Sequence, residues 1–419
     1  MSYSSLDLRD LSKLNYSKLG LSSNPFPSMA LPDEIPSIIA DRKEILEKFH
    51  NSLRDCVSTG NTHLTVLTGD YGSGKSHTLK YLKYEVNRQL LQSNENKVIA
   101  IYVKSIGLEI SDFYKYFIDD LGRQFLTQIA EKIIKQYLGS ISEDARKKYV
   151  YAPELKKKDL SKVKLEEYLR GSQFYDVFRQ IRNNVLSEIS NNDLVFGLLH
   201  LAHPDYAPIA WRWMLGEDVD KDSRKAILID KKIDDKIQIQ NIFTDIISLL
   251  LNFEKIKGVV ILIDEFENVT NISKITRDRY FDEIRHMLDE NRKGIYYVVA
   301  TTLTGLDAVV KSSSALSRRF SRDLPLKKFG IDDIHELIKN YLSLYRLKDF
   351  DIDSKITSGE ISKKYYPFTN SAMSLIDECT LGVVHNIIDV CRDAVEIAAH
   401  EEKEIIDKDT IESVIANFD

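Results

Sequence analysis

The sequence predicts an α/β protein: a parallel sheet flanked by helices, with a helical insertion and an all-helical C-terminal lid domain. Three observations carry this. Short apolar, β-branched runs alternate with stretches of helical periodicity. A glycine-rich phosphate-binding signature stands between the first such run and a helix. From about Ile331 onward no strand pattern remains.

The elements follow in order. Residues 1–23 are polar with scattered leucines and read as an arm. Asn24-Pro25-Phe26-Pro27 and the stretch from Pro32 to Pro36 are punctuated by proline, which favours extended chain. A helix is expected from about Asp41 to Cys56, with Ile45, Leu46, Phe49 and Leu53 at helical spacing. Leu64–Thr68 reads as a buried strand, and a helix follows from Lys75 to about Leu91. Further strands are expected at Val98–Val103, Val259–Ile263, Ile295–Ala300 and Asp323–Leu326. More than 150 residues separate Lys104 from Val259, whereas a strand-helix-strand unit needs only ~30. A helical insertion, about residues 106–250, accounts for the excess. Phe113, Tyr116, Phe117, Leu121, Phe125 and Ile129 already repeat there at helical spacing. Beyond 331, Ile334, Leu337, Ile338, Tyr341 and Leu342 line one amphipathic helix; Val383–Ala399 and Lys408–Ala416 form others. The expected division is 1–40, 41–330 and 331–419.

Bulk properties bound the function. The 419 residues carry a net charge of −6, so the whole chain is no generic polyanion binder. One basic segment stands out: Arg146 to Lys164 holds eight Lys/Arg against Glu154 and Asp159, with Tyr149 and Tyr151 interleaved. It reads as a nucleic-acid grip or, more commonly, as a solvated lysine-bearing face. The three cysteines, Cys56, Cys379 and Cys391, lack metal-ligand spacing, and a reducing cytoplasm is the simplest reading. The N-terminus lacks the apolar core of a signal peptide, and no apolar run approaches the ~20 residues that span a bilayer, so no membrane partner is expected.

The chemistry concentrates in four places. Gly69-Asp70-Tyr71-Gly72-Ser73-Gly74-Lys75-Ser76 matches the P-loop pattern GxxxxGK[ST]. Its glycines let backbone N–H groups reach phosphate oxygens, and the helix that follows points its positive end at them. Lys75 is expected on the β- and γ-phosphates of ATP, and Ser76 on Mg²⁺. Ile261-Leu262-Ile263-Asp264-Glu265-Phe266-Glu267 is an apolar strand ending in acids. Asp264 suits the Mg²⁺ shell and Glu265 a general base for water, while Glu267 reads as structural. At the end of the fourth strand, Thr302, and after it Thr301, is a candidate to bond the γ-phosphate or the lytic water; either also suits a plain strand cap. Arg319, preferred over Arg318, is a candidate to reach a neighbouring subunit's γ-phosphate; an ordinary surface arginine pair is the alternative.

These elements, in this order and followed by a helical lid, resemble the AAA+ superfamily, and within it the origin-recognition/initiator and transposition-regulator branch. Asn24–Pro27 followed by Asp41-Arg42-Lys43-Glu44 is similar to the segment that wraps adenine in such ATPases. The resemblance implies that Ile39 and Arg42 lie near the base. A narrower resemblance covers roughly Ala210 to Phe320: Trp211-Arg212-Trp213-Met214-Leu215-Gly216-Glu217, Ile233-Asp234-Asp235, Gly258–Asn268 and Arg277–Asp289 look like ATP-binding proteins of BREX-type bacteriophage-exclusion systems. The P-loop form with His77 after Ser76 also fits that group. One departure concerns the lid. AAA+ lids carry Gly-x-x-Arg, but here Gly382-Val383-Val384-His385 puts histidine in that place. Either His385 or Arg392, two turns on, is left to meet the γ-phosphate, or His385 simply packs the lid. Trp211 and Trp213 are expected to seat the insertion, with stacking on a base or partner as the alternative.

The resulting expectation is an ATPase that hydrolyses ATP with Mg²⁺, forms a homo-oligomer, and acts as a DNA-associated motor or switch in anti-phage defence or DNA processing. Double-stranded DNA and defence-system or helicase/nuclease proteins are the expected partners. The alternative is a nucleotide-controlled assembly protein with little turnover and no direct DNA binding. A small-molecule kinase is disfavoured, since no acceptor-site signature is found.

Overall fold

The computed structural model describes residues 14–27, 42–90, 97–142, 172–184, 189–290, 293–319, 322–356 and 360–416, with isolated positions at 144, 146, 165, 169 and 186. Ile39 and nearly all of the Arg146 to Lys164 segment lie outside the described residues. The chain divides into two compact units. One comprises Lys48–Thr68 and Leu82–Leu324; the other comprises Met1–Glu47, Gly69–Tyr81 and Pro325–Asp419.

The larger unit is built on a five-stranded sheet. Its strands are β1 (His63–Thr68), β2 (Val98–Val103), β3 (Gly258–Ile263), β4 (Ile295–Thr301) and β5 (Arg322–Pro325), in the order β2-β3-β4-β1-β5. The pairs β1–β4, β2–β3 and β3–β4 are parallel. Every residue of β3 and β4 is buried, which explains why both read as unbroken apolar runs rather than alternating ones. Successive side chains of a strand point to opposite faces. Tyr296 meets Phe49 of helix α1 (Lys43–Thr59) at 5.3 Å between ring centroids. Its neighbour Tyr297 belongs to the core shared with the insertion. Helix α2 (Lys75–Leu90) follows the glycine-rich loop.

Between β2 and β3 come α3 (Ile110–Leu121), α4 (Arg123–Ser140), α5 (Ser172–Asn184), α6 (Asn192–His200), α7 (Ala207–Met214), α8 (Lys221–Ala226) and α9 (Lys236–Ser248). Phe113 and Phe117 of α3 pack on Phe243 of α9, at 5.9 and 4.8 Å between ring centroids. Trp213 is buried over Gly197, where a methyl group would lie 2.7 Å from the indole, and its ring N–H donates to the Lys231 carbonyl. Two carboxylates tie connections to these helices. Asp193 accepts from the N–H groups of Asp230 and Lys231, and Asp245 from Ser190 and Asn191. After β3 come α10 (Lys274–Glu290), β4 and α11 (Leu303–Ser312).

The second unit has a separate core. Its helices are α12 (Ile331–Leu344), α13 (Asn370–Thr380), α14 (Val384–His400) and α15 (Lys408–Ile415). Ile334, Leu337, Ile338 and Leu342 of α12 are buried with Met373, Ile387, Cys391 and Ile411, the face that the helical spacing foretold. Single backbone bridges, Ile361 to Thr369 and Phe368 to Ile406, link its connections. Phe26 is buried in this core, 5.6 Å from the Tyr341 ring. Among the described residues no helix is long and apolar enough to cross a membrane.

Candidate functional site

The glycine-rich loop lies wholly in the second unit. Gly72 and Gly74 have φ of +75° and +89°, a left-handed backbone that side chains oppose. A Cβ at Gly69 would sit 2.5 Å from Ser73 Oγ, and one at Gly72 would meet Val383 and His385 at 3.0 and 3.2 Å. The loop therefore closes on itself only without side chains at these positions. Lys75 is buried and donates to the carbonyls of Gly69 (2.9 Å) and Asp70 (3.1 Å), so its ammonium is held over the loop. Ser76, Asp70 and Tyr71 are exposed. A loop of this form at a helix N-terminus presents amides and a positive dipole to an anion.

Arg42 braces the same loop from below. It is buried, donates to the Ser73 carbonyl at 2.9 Å and stacks over the Phe329 ring at 4.7 Å. Beside it lies a small cleft bounded by Arg42, Gly74, His77, Phe329, Tyr341 and Val384. The lid histidine is near the loop through its backbone: the His385 N–H donates to the Gly72 carbonyl at 3.3 Å. Its ring lies 3.1 Å from the Asp389 carboxylate. Arg392 is engaged by Asp389 and Asp393, at 2.8 and 3.0 Å.

The acids lie in the sheet-bearing unit. Asp264 follows β3 and is buried. Its Oδ1 accepts the Glu265 N–H at 2.9 Å, and its Oδ2 accepts the Tyr102 O–H at 2.7 Å. Burial and the Asp264 charge push the Tyr102 phenol well above its ordinary pKa, so it stays a donor. Glu265 is exposed with φ +48°, and Asn268 donates to its Oε2 at 3.0 Å. Asn268 also reaches Ser105 Oγ, at 3.1 Å. Glu267 is buried beside Gly305, where a Cβ would lie 2.9 Å from its own.

The two threonines differ in a way the sequence did not disclose. Thr302 is the N-cap of α11, its hydroxyl oxygen accepting the Gly305 N–H at 3.1 Å. Thr301 is the last residue of β4, paired with Thr68 of β1, and its buried Oγ1 has no hydrogen-bond partner among the described residues. Arg319 is exposed and forms a 2.6 Å ion pair with Asp289 at the end of α10. Tyr102 and Asn268 were missed altogether. A strand tyrosine 162 residues from its carboxylate partner leaves no local signal.

The profile of one protein family, described as "BREX system ATP-binding protein BrxC/D", matches residues 34–353. The chain belongs to that family. No curated protein sequence matches it. Among solved structures, the Aeropyrum pernix ORC2 protein in its ADPNP-ADP complexes is similar at a TM-score of 0.50 and 10% identity, covering 92% of this chain and 69% of that one. The ADP form of the same protein gives 0.50 at 9% identity, covering 92% and 70%. The Aeropyrum pernix ORC1 protein in complex with DNA gives 0.44 at 11% identity, covering 93% and 68%. At such identities the ORC2 likeness concerns the fold alone, and it agrees with the AAA+ type of α/β architecture that the motif order implied.

Proposed function

We propose that this BREX-family protein binds ATP with Mg²⁺ and hydrolyses it, and that hydrolysis drives a DNA-associated step of phage defence in the cytoplasm. The observation that carries the nucleotide reading is the loop itself. Its glycines hold a left-handed backbone that side chains would oppose, and Lys75 is buried over it. The Lys75 ammonium would exchange its carbonyl partners for β- and γ-phosphate oxygens. Arg42, Phe329, Tyr341 and Val384 would lie beside the base.

The donor types suit a magnesium ion. Ser76 would offer its exposed hydroxyl and Asp264 its carboxylate, the hard oxygen donors this cation prefers. When bound, Mg²⁺ neutralises charge on the phosphates. Glu265, exposed and oriented by Asn268, would take the proton of the attacking water. Thr301 or Thr302 would bond the γ-phosphate or that water. Arg319 of a neighbouring subunit would offset transition-state charge, which requires an oligomer and release from Asp289.

The experiment is an ATPase assay on purified protein with and without double-stranded DNA. Stimulation that fades with added salt supports the DNA-associated reading. A second reading, ATP-ordered assembly with little turnover, is favoured by one feature. His385 stands where a lid arginine is expected, and both it and Arg392 face Asp389. Strong ATP-dependent assembly without DNA-stimulated turnover supports that alternative.

A further inference from the structure

We propose that Tyr102 is a positioning residue for the metal-holding carboxylate, acting through Asp264; the inference rests on the Mg²⁺ reading above. Asp264 is buried, and a buried carboxylate needs hydrogen-bond donors, which also set its orientation. Two donors meet it. The Glu265 N–H is part of the same turn and moves with it. The Tyr102 O–H comes from another strand and fixes the plane of the carboxylate from outside.

Tyr102 is itself anchored. It pairs with Leu262 in the β2–β3 register, which sets its side chain beside the end of β3. Its backbone N–H donates to Asp120 Oδ2 at 2.7 Å. Asp120 lies on α3, the first helix of the insertion, and its other oxygen is bridged by Lys83 of α2 at 2.6 Å. The chain of contacts Lys83, Asp120, Tyr102, Asp264 thus runs from α2 through the first helix of the insertion to the proposed metal ligand. Outer partners that orient a ligating group typically change metal affinity by about 10- to 100-fold when removed. A phenylalanine at this position keeps the ring and deletes only the donor.

The test measures Mn²⁺, as a spectroscopic stand-in for Mg²⁺, binding to full-length protein with a non-hydrolysable ATP analogue, by electron paramagnetic resonance. Tyr102→Phe is expected to weaken Mn²⁺ binding about 10-fold, while affinity for the metal-free nucleotide stays unchanged. In an Asp264→Asn background, Tyr102→Phe should add nothing. Thermal melts of each variant confirm folding. Equal Mn²⁺ affinity in wild type and Tyr102→Phe overturns the inference while leaving the site reading intact. An additive loss in the Asp264→Asn background overturns action through Asp264. Failure of the wild type to bind Mn²⁺ with nucleotide overturns the Mg²⁺ reading as well.

Discussion

Arg42 and Ser73 are joined by a 2.9 Å hydrogen bond from a buried guanidinium to a loop carbonyl. Thirty-one residues apart, they tie the segment before α1 to the middle of the glycine-rich loop. With Phe329 beneath the guanidinium, the contact braces Gly74 and its neighbours in their left-handed turn.

The first prediction concerns that brace. Arg42→Ala removes a charged donor from a buried carbonyl, an effect of about 1.5–3 kcal/mol. Affinity for ATP should fall roughly 10- to 100-fold by calorimetry, with the overall fold intact by circular dichroism. Unchanged affinity would show that the loop holds its shape without the arginine.

The threonine pair gives a second. Thr302→Ala deletes a helix cap and should lower stability by about 1 kcal/mol, read as an earlier urea midpoint. Thr301→Val deletes an unbonded hydroxyl at nearly constant volume. If Thr301 serves the γ-phosphate, this variant loses turnover with little loss of stability. Should turnover fall only in Thr302→Ala, the role belongs to Thr302.

Arg319 gives a third. Its ion pair with Asp289 is partly exposed and contributes at most about 1 kcal/mol, so Arg319→Ala should melt close to wild type. If Arg319 acts across a subunit interface, its loss cuts turnover by about 10³-fold or more while ATP binding persists. Turnover near wild type removes the trans role.

A fourth follows from the insertion. Burial, chiefly, drives the His200 pKa down from its ordinary value to about 4, with His203 nearby adding to the effect. The folded state therefore refuses a proton that the unfolded chain accepts below about pH 6.5. Stability contributed by the neutral ring is present above that pH and is lost as pH falls toward 4, on the order of 3 kcal/mol in all. Urea midpoints between pH 7.5 and 5 should fall more steeply for wild type than for His200→Phe. Parallel slopes would contradict the buried neutral ring.

How much of this was legible follows the physics of each signal. Strands such as Val259–Ile263 were plain because a strand buried on both faces must be apolar throughout. The glycine-rich turn before α2 was plain because its left-handed backbone at Gly72 and Gly74 disfavours side chains. The amphipathic face of α12 was readable from Ile334, Leu337 and Leu342. What stayed hidden depends on distant partners. Nothing near Tyr102 announces Asp264, and nothing near Trp213 announces Gly197. The choice between Thr301 and Thr302 turns on where β4 stops and α11 begins, a single residue that apolar patterning does not resolve. The ion pair of Arg319 with Asp289 joins two elements whose sequences carry no mark of each other.

The most direct test of the central claim is steady-state phosphate release, paired with equilibrium ATP binding in Mg²⁺, for wild type, Lys75→Ala and Glu265→Gln. The expected result is turnover in wild type only, ATP retained by Glu265→Gln, and ATP lost by Lys75→Ala. Turnover in Glu265→Gln equal to wild type, or ATP binding untouched in Lys75→Ala, contradicts it.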